Sequence, residues 1–256
     1  MNKTIYALGF FDGVHVGHAA LLDRCKTLAR EENYRAGVVT FAAHPDTLVL
    51  GNTPPLINTP YDREKLLRER FSMEQVVTLP FDEQMRDQPP ECYVGELVRR
   101  LHPKAVVCGY NHSFGAGGSG SPALLQALGA ALGFEVSVVP PITLHGQEVS
   151  STAIRQKLAQ GDVSGARALL GRPYSRRVEL THGENEWSFR LLDEEKQGFP
   201  AGKYRCVFSA GEQSLPVTVL LNGETDGRLL LSGEEPSLQK SLNEGRGRLF
   251  FWQAAK

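Results

Sequence analysis

The chain is short of the features that mark a special environment. Its four cysteines, Cys25, Cys92, Cys108 and Cys206, stand far apart with no CxxC spacing. That argues against a disulfide framework and a cysteine-built zinc site, and fits thiols kept reduced. Neither sign of charge is in excess, with 28 Lys and Arg against 29 Asp and Glu and a formal net charge of -1. Without a basic surplus there is no electrostatic footprint for general nucleic-acid binding. No apolar run is long enough to cross a bilayer. The N-terminus enters a strand at once, without the basic and apolar regions of a signal peptide. A cytoplasmic protein with neither membrane nor nucleic-acid partners is the expectation. No internal repeat and no low-complexity segment is present.

What remains is ordinary globular material: 256 residues, 41% hydrophobic and 22% charged, enough for one large core or one large and one small. Residues 4–10 read as a buried strand and residues 18–31 as a helix with Ala20, Leu21, Leu22, Cys25, Leu28 and Ala29 on its apolar side. Strands follow at 35–41, 75–79, 105–108 and 135–139, and helices at 62–71, 90–101 and 122–132. The connection from His44-Pro45 through Pro54-Pro55 to Pro60 reads as long and structureless, the kind of loop that is usually functional. After Ser150-Ser151-Thr152 comes a helix, AIRQKLAQ, and then a second short helix that reaches Leu170. This alternation predicts an α/β doubly wound parallel sheet, with ligands beyond the carboxyl ends of its strands. Past Gly171-Arg172-Pro173 the pattern changes to short alternating runs, RRVEL, WSFRLL, KYRCVF, LPVTVLL, GRLLLS and RLFFWQ. They predict a small antiparallel barrel or sandwich, with one helix at 237–243. The expected division is residues 1–173 and 174–256.

Four segments carry chemistry. In Phe11-Asp12-Gly13-Val14-His15-Val16-Gly17-His18, a glycine-relieved turn leads a strand into a helix and places two histidines on one face of its first turn. Free N–H groups and the positive end of the helix dipole make that place an anion site, best suited to a nucleotide phosphate. A donating imidazole there stabilises charge on a phosphate oxygen, and Gly17 lets the backbone come close. Read alone, the pair also fits a helix cap plus a surface histidine. A zinc pair is disfavoured because no third or fourth ligand clusters with it. In Ser150-Ser151-Thr152-Ala153-Ile154-Arg155, hydroxyls and an arginine one turn later suit phosphate, although an ordinary serine cap explains the segment in isolation. Gly109-Tyr110-Asn111-His112-Ser113-Phe114-Gly115 offers an amide and an aromatic face in a glycine-rich loop. It is neither a Walker A loop nor a dinucleotide fingerprint. Thr40 to His44-Pro45 ends a strand in a loop able to cover a flat ring.

In this order, GFFDGVHVGH, TFAAHP, VVCGYNHSFG, EVSSTAIR and GDVSGARALLGRPYS resemble the bacterial FAD synthetase family, the bifunctional riboflavin kinase/FMN adenylyltransferases, over about residues 5–175. The resemblance implies an HxGH nucleotidyltransferase that moves AMP from ATP to FMN, giving FAD and pyrophosphate, with Mg²⁺ arriving on ATP and no dedicated protein metal cage. It implies catalytic roles for His15, His18, Asn111 and Arg155. Phe11, Asp12, Gly13, Gly17, Ser151 and Thr152 would bind the ATP phosphates, and His44, Pro45 and Phe114 the flavin. Alternatives of other classes are a nucleotidyltransferase with a different phosphorylated acceptor and a non-catalytic flavin- or nucleotide-binding regulator. Three departures from the family pattern stand out. Phe10 replaces a common Asn, and Glu148 stands where Arg is common. The GFPTAN kinase motif has no counterpart beyond Gly198-Phe199-Pro200-Ala201-Gly202-Lys203, which aligns better with a strand start. The second domain is also short at its C-terminal end. It is therefore expected to be a kinase-like barrel without riboflavin phosphorylation.

Overall fold

A computed structural model describes residues 3–183, 186–223, 225–230 and 244–255; the helix expected at 237–243 lies outside them. The chain forms two compact units, Met1–Pro54 with Pro60–Val149, and Pro55–Thr59 with Ser150–Lys256.

The first unit is built on β1 (Thr4–Leu8), whose five residues are all buried. Strands β2 (Arg35–Phe41), β3 (Gln75–Leu79), β4 (Ala105–Gly109) and β5 (Glu135–Val139) complete a parallel sheet in the order β3-β2-β1-β4-β5. Successive residues of β1 face opposite sides. Ile5 and Ala7 join one core with Leu22, Cys25 and Ala29 of α1 (Val16–Glu31). Tyr6 and Leu8 join the other with Tyr93, Val94 and Leu97 of α5 (Pro90–Leu101) and Leu125 of α6 (Pro122–Leu132). Both faces are covered, which is why the strands read as continuous apolar runs. The chain winds outward through β2 and β3, then returns to the far side of β1 with β4. The switch in strand order therefore lies between β1 and β4, where ligands of such sheets bind.

Local details differ from the expectations. β1 stops at Leu8, and α1 starts at Val16, two residues before the expected point. The connection after His44 is not structureless, because α2 (Asp46–Val49) forms within it. The helix expected over 62–71 is α3 (Pro60–Lys65) followed by a π-helical turn, Leu66–Arg70. A short α4 (Glu83–Asp87), capped by the Asp82 side chain on the Met85 N–H, was not anticipated. Nor was the hairpin of β6 (Thr143–Leu144) and β7 (Gln147–Glu148). Its two turn residues, His145 and Gly146, both have positive φ, the geometry of a tight hairpin turn.

The second unit holds α7 (Ser151–Ala159), α8 (Val163–Leu170) and six antiparallel strands: β8 (Tyr174–His182), β9 (Trp187–Leu191), β10 (Gly202–Ala210), β11 (Gln213–Leu221), β12 (Asp226–Leu230) and β13 (Gly245–Ala254). They close into a barrel in the order β10-β11-β12-β9-β8-β13, so the alternative of an open sandwich falls away. The change from helix to strand does come at Tyr174. The compact units nevertheless separate at Val149/Ser150, because α8 packs on β8 and β13. Residues 55–59 belong here too: Leu56 bridges Lys196, and Arg172 Nη2 donates to Asn58 Oδ1 at 2.9 Å.

Alternation along β8 turns Tyr174, Arg176, Val178 and Leu180 to the buried side, which puts an arginine inside. Asp193 answers it. One carboxylate oxygen accepts Arg176 Nε at 2.6 Å and the other accepts the Arg177 N–H at 2.9 Å. Lys196 Nζ lies 3.9 Å from Asp193, donates to the Ser175 carbonyl and sits 4.7 Å from the centre of the Tyr174 ring. Removing the Asp193 carboxylate takes its ion-pair partner from the buried Arg176 in low dielectric. Asp193→Asn is therefore expected to cost about 3–5 kcal/mol of stability, read from urea unfolding of the barrel.

Candidate active site

The turn after β1 is the unusual backbone of the molecule. Phe11, Gly13 and Val14 have φ of 59°, 82° and 37°. A left-handed glycine is common, whereas a β-branched valine there is strained and must be held by its surroundings. Phe11 and Val14 are fully buried in the core beside α1, and Asp12 is buried as well. Thr40 Oγ1 donates to the Phe10 carbonyl at 2.9 Å, fastening the turn to β2.

This turn delivers His15 as the N-cap of α1. Its Nδ1 accepts the His18 N–H at 3.2 Å. An imidazole whose Nδ1 accepts carries its proton, when neutral, on Nε2, so the remaining ring nitrogen is a donor. The His15 and His18 rings stack with centroids 3.6 Å apart and planes at 17°. Gly17 makes room for this: a methyl there would lie 3.1 Å from His15 Cε1 and Nδ1. The expected histidine pair is thus brought together at a helix N-terminus. Phe11 behaves differently. Its side chain is core, 5.1 Å from the His18 ring by centroids, and does not face the turn's open side.

The loop after β4 lies on the neighbouring strand. The Tyr110 N–H donates to Val139, and the His112 N–H closes a turn on the Gly109 carbonyl. Asn111 is exposed, with its Oδ1 folded back towards Gly109. Phe114 is not an open aromatic face. It is buried against Tyr93 and His112 and crowds Gly120, so in this structure it packs the core instead of offering itself to a flavin. Glu148 is engaged: the exposed Tyr110 phenol donates to it, and that bond, before burial and charge, holds the phenol above its usual range. The carboxylate that departs from the family pattern thus has a fixed partner.

His44 is half-buried. Its Nδ1 accepts the Asp46 N–H at the start of α2, and its ring meets Phe10 edge-on at 4.6 Å, with Pro45 next in the chain. Sequence reasoning missed Arg63, which is buried to 2% exposure. Its charge pattern, DREKLLRERF, is that of a solvated helix, and nothing in it signals burial.

The other expected phosphate residues belong to the second unit. Ser150 is the N-cap of α7, its Oγ accepting the Ala153 N–H at 3.2 Å. Ser151 and Thr152 open α7, and Arg155 Nε donates to the Pro55 carbonyl at 2.8 Å. Among the described residues no group of three or more His, Cys, Asp or Glu converges as a metal site, and no helix is long and apolar enough to cross a membrane.

The model of the FAD synthetase family matches residues 1–153. This chain belongs to that family. Its relatives include bifunctional riboflavin kinase/FMN adenylyltransferases from Listeria monocytogenes, 32% identical over 186 residues, Haemophilus influenzae, 34% over 178, and Escherichia coli K12, 32% over 182. These alignments cover 72%, 69% and 70% of this chain but 58% of each relative. The chain thus spans less than two thirds of the length of its family relatives. Among solved structures, a crystal structure titled as a macrolide-efflux protein from Streptococcus pneumoniae superposes with a TM-score of 0.86, covering 100% of this chain and 86% of the other. At 22% identity it speaks for the shared fold alone.

His112 supplies a test of how closed the loop after β4 is. Its Nε2 is buried without a partner, and burial holds the imidazole down to about 4 from 6.5. Between those values the unfolded chain binds more protons than the native one, so stability falls as pH drops through this window. His112→Phe removes that term. Its unfolding free energy is expected to decline less steeply than wild type between pH 6.5 and 4, measured by urea titration at each pH.

Proposed function

We propose that this chain is an FMN adenylyltransferase: it transfers AMP from ATP to FMN, releasing pyrophosphate and forming FAD. The observation that carries the reading is the stacked His15–His18 pair at the start of α1, in a chain of this family. An oxygen of the FMN phosphate attacks the α-phosphorus of ATP, and the bond to the β-phosphate oxygen breaks as pyrophosphate leaves. The attacking phosphate is already ionised, so no general base is required. The site is needed for positioning and for charge stabilisation on the transferring and leaving oxygens.

His15 suits that work because its cap bond fixes the tautomer that presents a donating Nε2–H. The N-terminal end of α1 adds dipole and backbone donors on the same side. Asn111, and Ser151, Thr152 and Arg155 of the second unit, take the roles the family resemblance assigns them: the amide at the junction of nucleotide and flavin, and the hydroxyls and guanidinium on the phosphates. His44 and Pro45 border the flavin. Mg²⁺ enters as part of Mg-ATP, held by phosphate oxygens and water.

We also propose that the barrel does not phosphorylate riboflavin. Gly198-Phe199-Pro200 leads into β10, and Phe199 is buried, its ring 4.9 Å from Tyr204 and 4.6 Å from Phe251 by centroids. That string serves packing, and no Thr and Asn follow it.

One assay with separation of flavins tests both statements. FMN with Mg-ATP is expected to give FAD and pyrophosphate, and riboflavin with Mg-ATP no FMN. His18→Ala and Arg155→Ala are each expected to lower kcat/KM by about 100-fold or more, the scale of losing a charge-stabilising donor. Gly17→Ala, which displaces the His15 ring, is expected to lower activity with His15 itself intact. Tight FMN binding without pyrophosphate release would point to a flavin-binding regulator. FMN made from riboflavin would overturn the barrel assignment.

A further inference from the structure

Arg63, on α3, has no place in the scheme so far. Its guanidinium is one of the most completely buried large groups in the protein, and among the described residues it forms no ion pair. Its surroundings account for most of its surface. The face lies 4.2 Å from the centre of the Phe10 ring, a cation–π arrangement, and Nη2 donates to the Phe41 carbonyl at 2.5 Å. Phe10 and Phe41 stand at the carboxyl ends of β1 and β2, the edge on which the His15 turn also lies. Nη1 is buried and has no partner. Burial holds the guanidinium pKa down, and the charge of nearby Asp12 offsets only part of that.

A buried charge is normally kept because it is paired, since leaving one unpaired is costly. The barrel of this same protein shows the paired solution at Arg176. Arg63 departs from it on the one edge of the sheet where a ligand is expected.

We infer that Arg63 is a phosphate-binding residue: the spare donor of a buried guanidinium, held at the carboxyl ends of β1 and β2, takes an oxygen of a substrate phosphate. Its face and one edge are already committed to Phe10 and Phe41, so the phosphate meets the remaining nitrogen, a charge-assisted bond in a dry setting. The Phe10 ring covers the guanidinium and His44 packs against Phe10; these are the two rings an entering phosphate moves aside. This also explains the phenylalanine at position 10, which gives the guanidinium a face to rest on. The inference rests on the adenylyl-transfer reading for the identity of the substrates and not for the presence of an anion site. The phosphate belongs either to the flavin or to the polyphosphate of ATP.

Arg63→Met and Arg63→Gln in the full chain test it, with FMN and sodium pyrophosphate titrated separately and binding read from the shift in thermal unfolding. Both variants are expected to stay folded, because the desolvation cost of the buried charge is removed together with its bond to the Phe41 carbonyl and its contact with Phe10. Both are expected to lose about 10-fold or more in affinity for one probe, the size of a lost hydrogen bond to a charged group. Loss with FMN assigns the flavin phosphate, and loss with pyrophosphate assigns the nucleotide. A folded variant that binds both probes as wild type does overturns the inference. Failure of both variants to fold overturns it too, by making Arg63 a structural residue. Neither titration needs turnover. A wild type that binds through Arg63 yet forms no FAD keeps this inference and overturns the adenylyl-transfer reading instead.

Discussion

The first unit depends on the burial of Phe11 and Val14 beneath α1. Three left-handed residues within four, one of them β-branched, are not a conformation the chain adopts freely. They persist because both apolar side chains lie in the core shared with Ile5, Ala7 and Leu22, where any relaxation of the turn would open a cavity. The packing of β1 against α1 and the position of His15 are therefore one constraint. Moving the turn would unstack the histidines, uncap the helix and empty part of the core together.

The two units handle buried arginine in opposite ways. Arg176 in the barrel has a carboxylate at 2.6 Å and a lysine completing the group. This satisfied polar cluster sits among apolar side chains, at a desolvation cost offset by its own bonds. Arg63 has a carbonyl, an aromatic face and the field of a carboxylate it does not pair with. The same side chain is a structural element in one place and an unmatched charge in the other. What separates them is position: the second lies at the open carboxyl ends of the parallel strands β1 and β2, the edge on which ligands of such sheets bind.

The departure at Glu148 is also local in its consequences. A carboxylate beside phosphates is unfavourable when free to approach them. Here the Tyr110 phenol holds it, tying the hairpin of β6 and β7 to the loop that carries Asn111. This partnership between residues 38 positions apart leaves no trace in sequence spacing.

The sequence by itself determined the alternation of strands and helices that marks a parallel α/β sheet, and the existence of a separate β domain. Apolar runs, prolines at helix starts and glycine turns are read within a few residues of one another. Five helix or strand spans, 35–41, 75–79, 90–101, 122–132 and 135–139, coincide with those observed for that reason. The histidine pair was legible too, because two side chains three apart on one helical turn must be neighbours. Only the tertiary structure decided the rest. Whether Phe114 is an open face or core, whether Arg63 is solvated or sealed, and which unit α7 and α8 join all depend on contacts between segments distant in the chain. Burial is a property of what arrives from elsewhere, and a helix of alternating charges looks the same in sequence whether its arginine meets water or the ends of two strands.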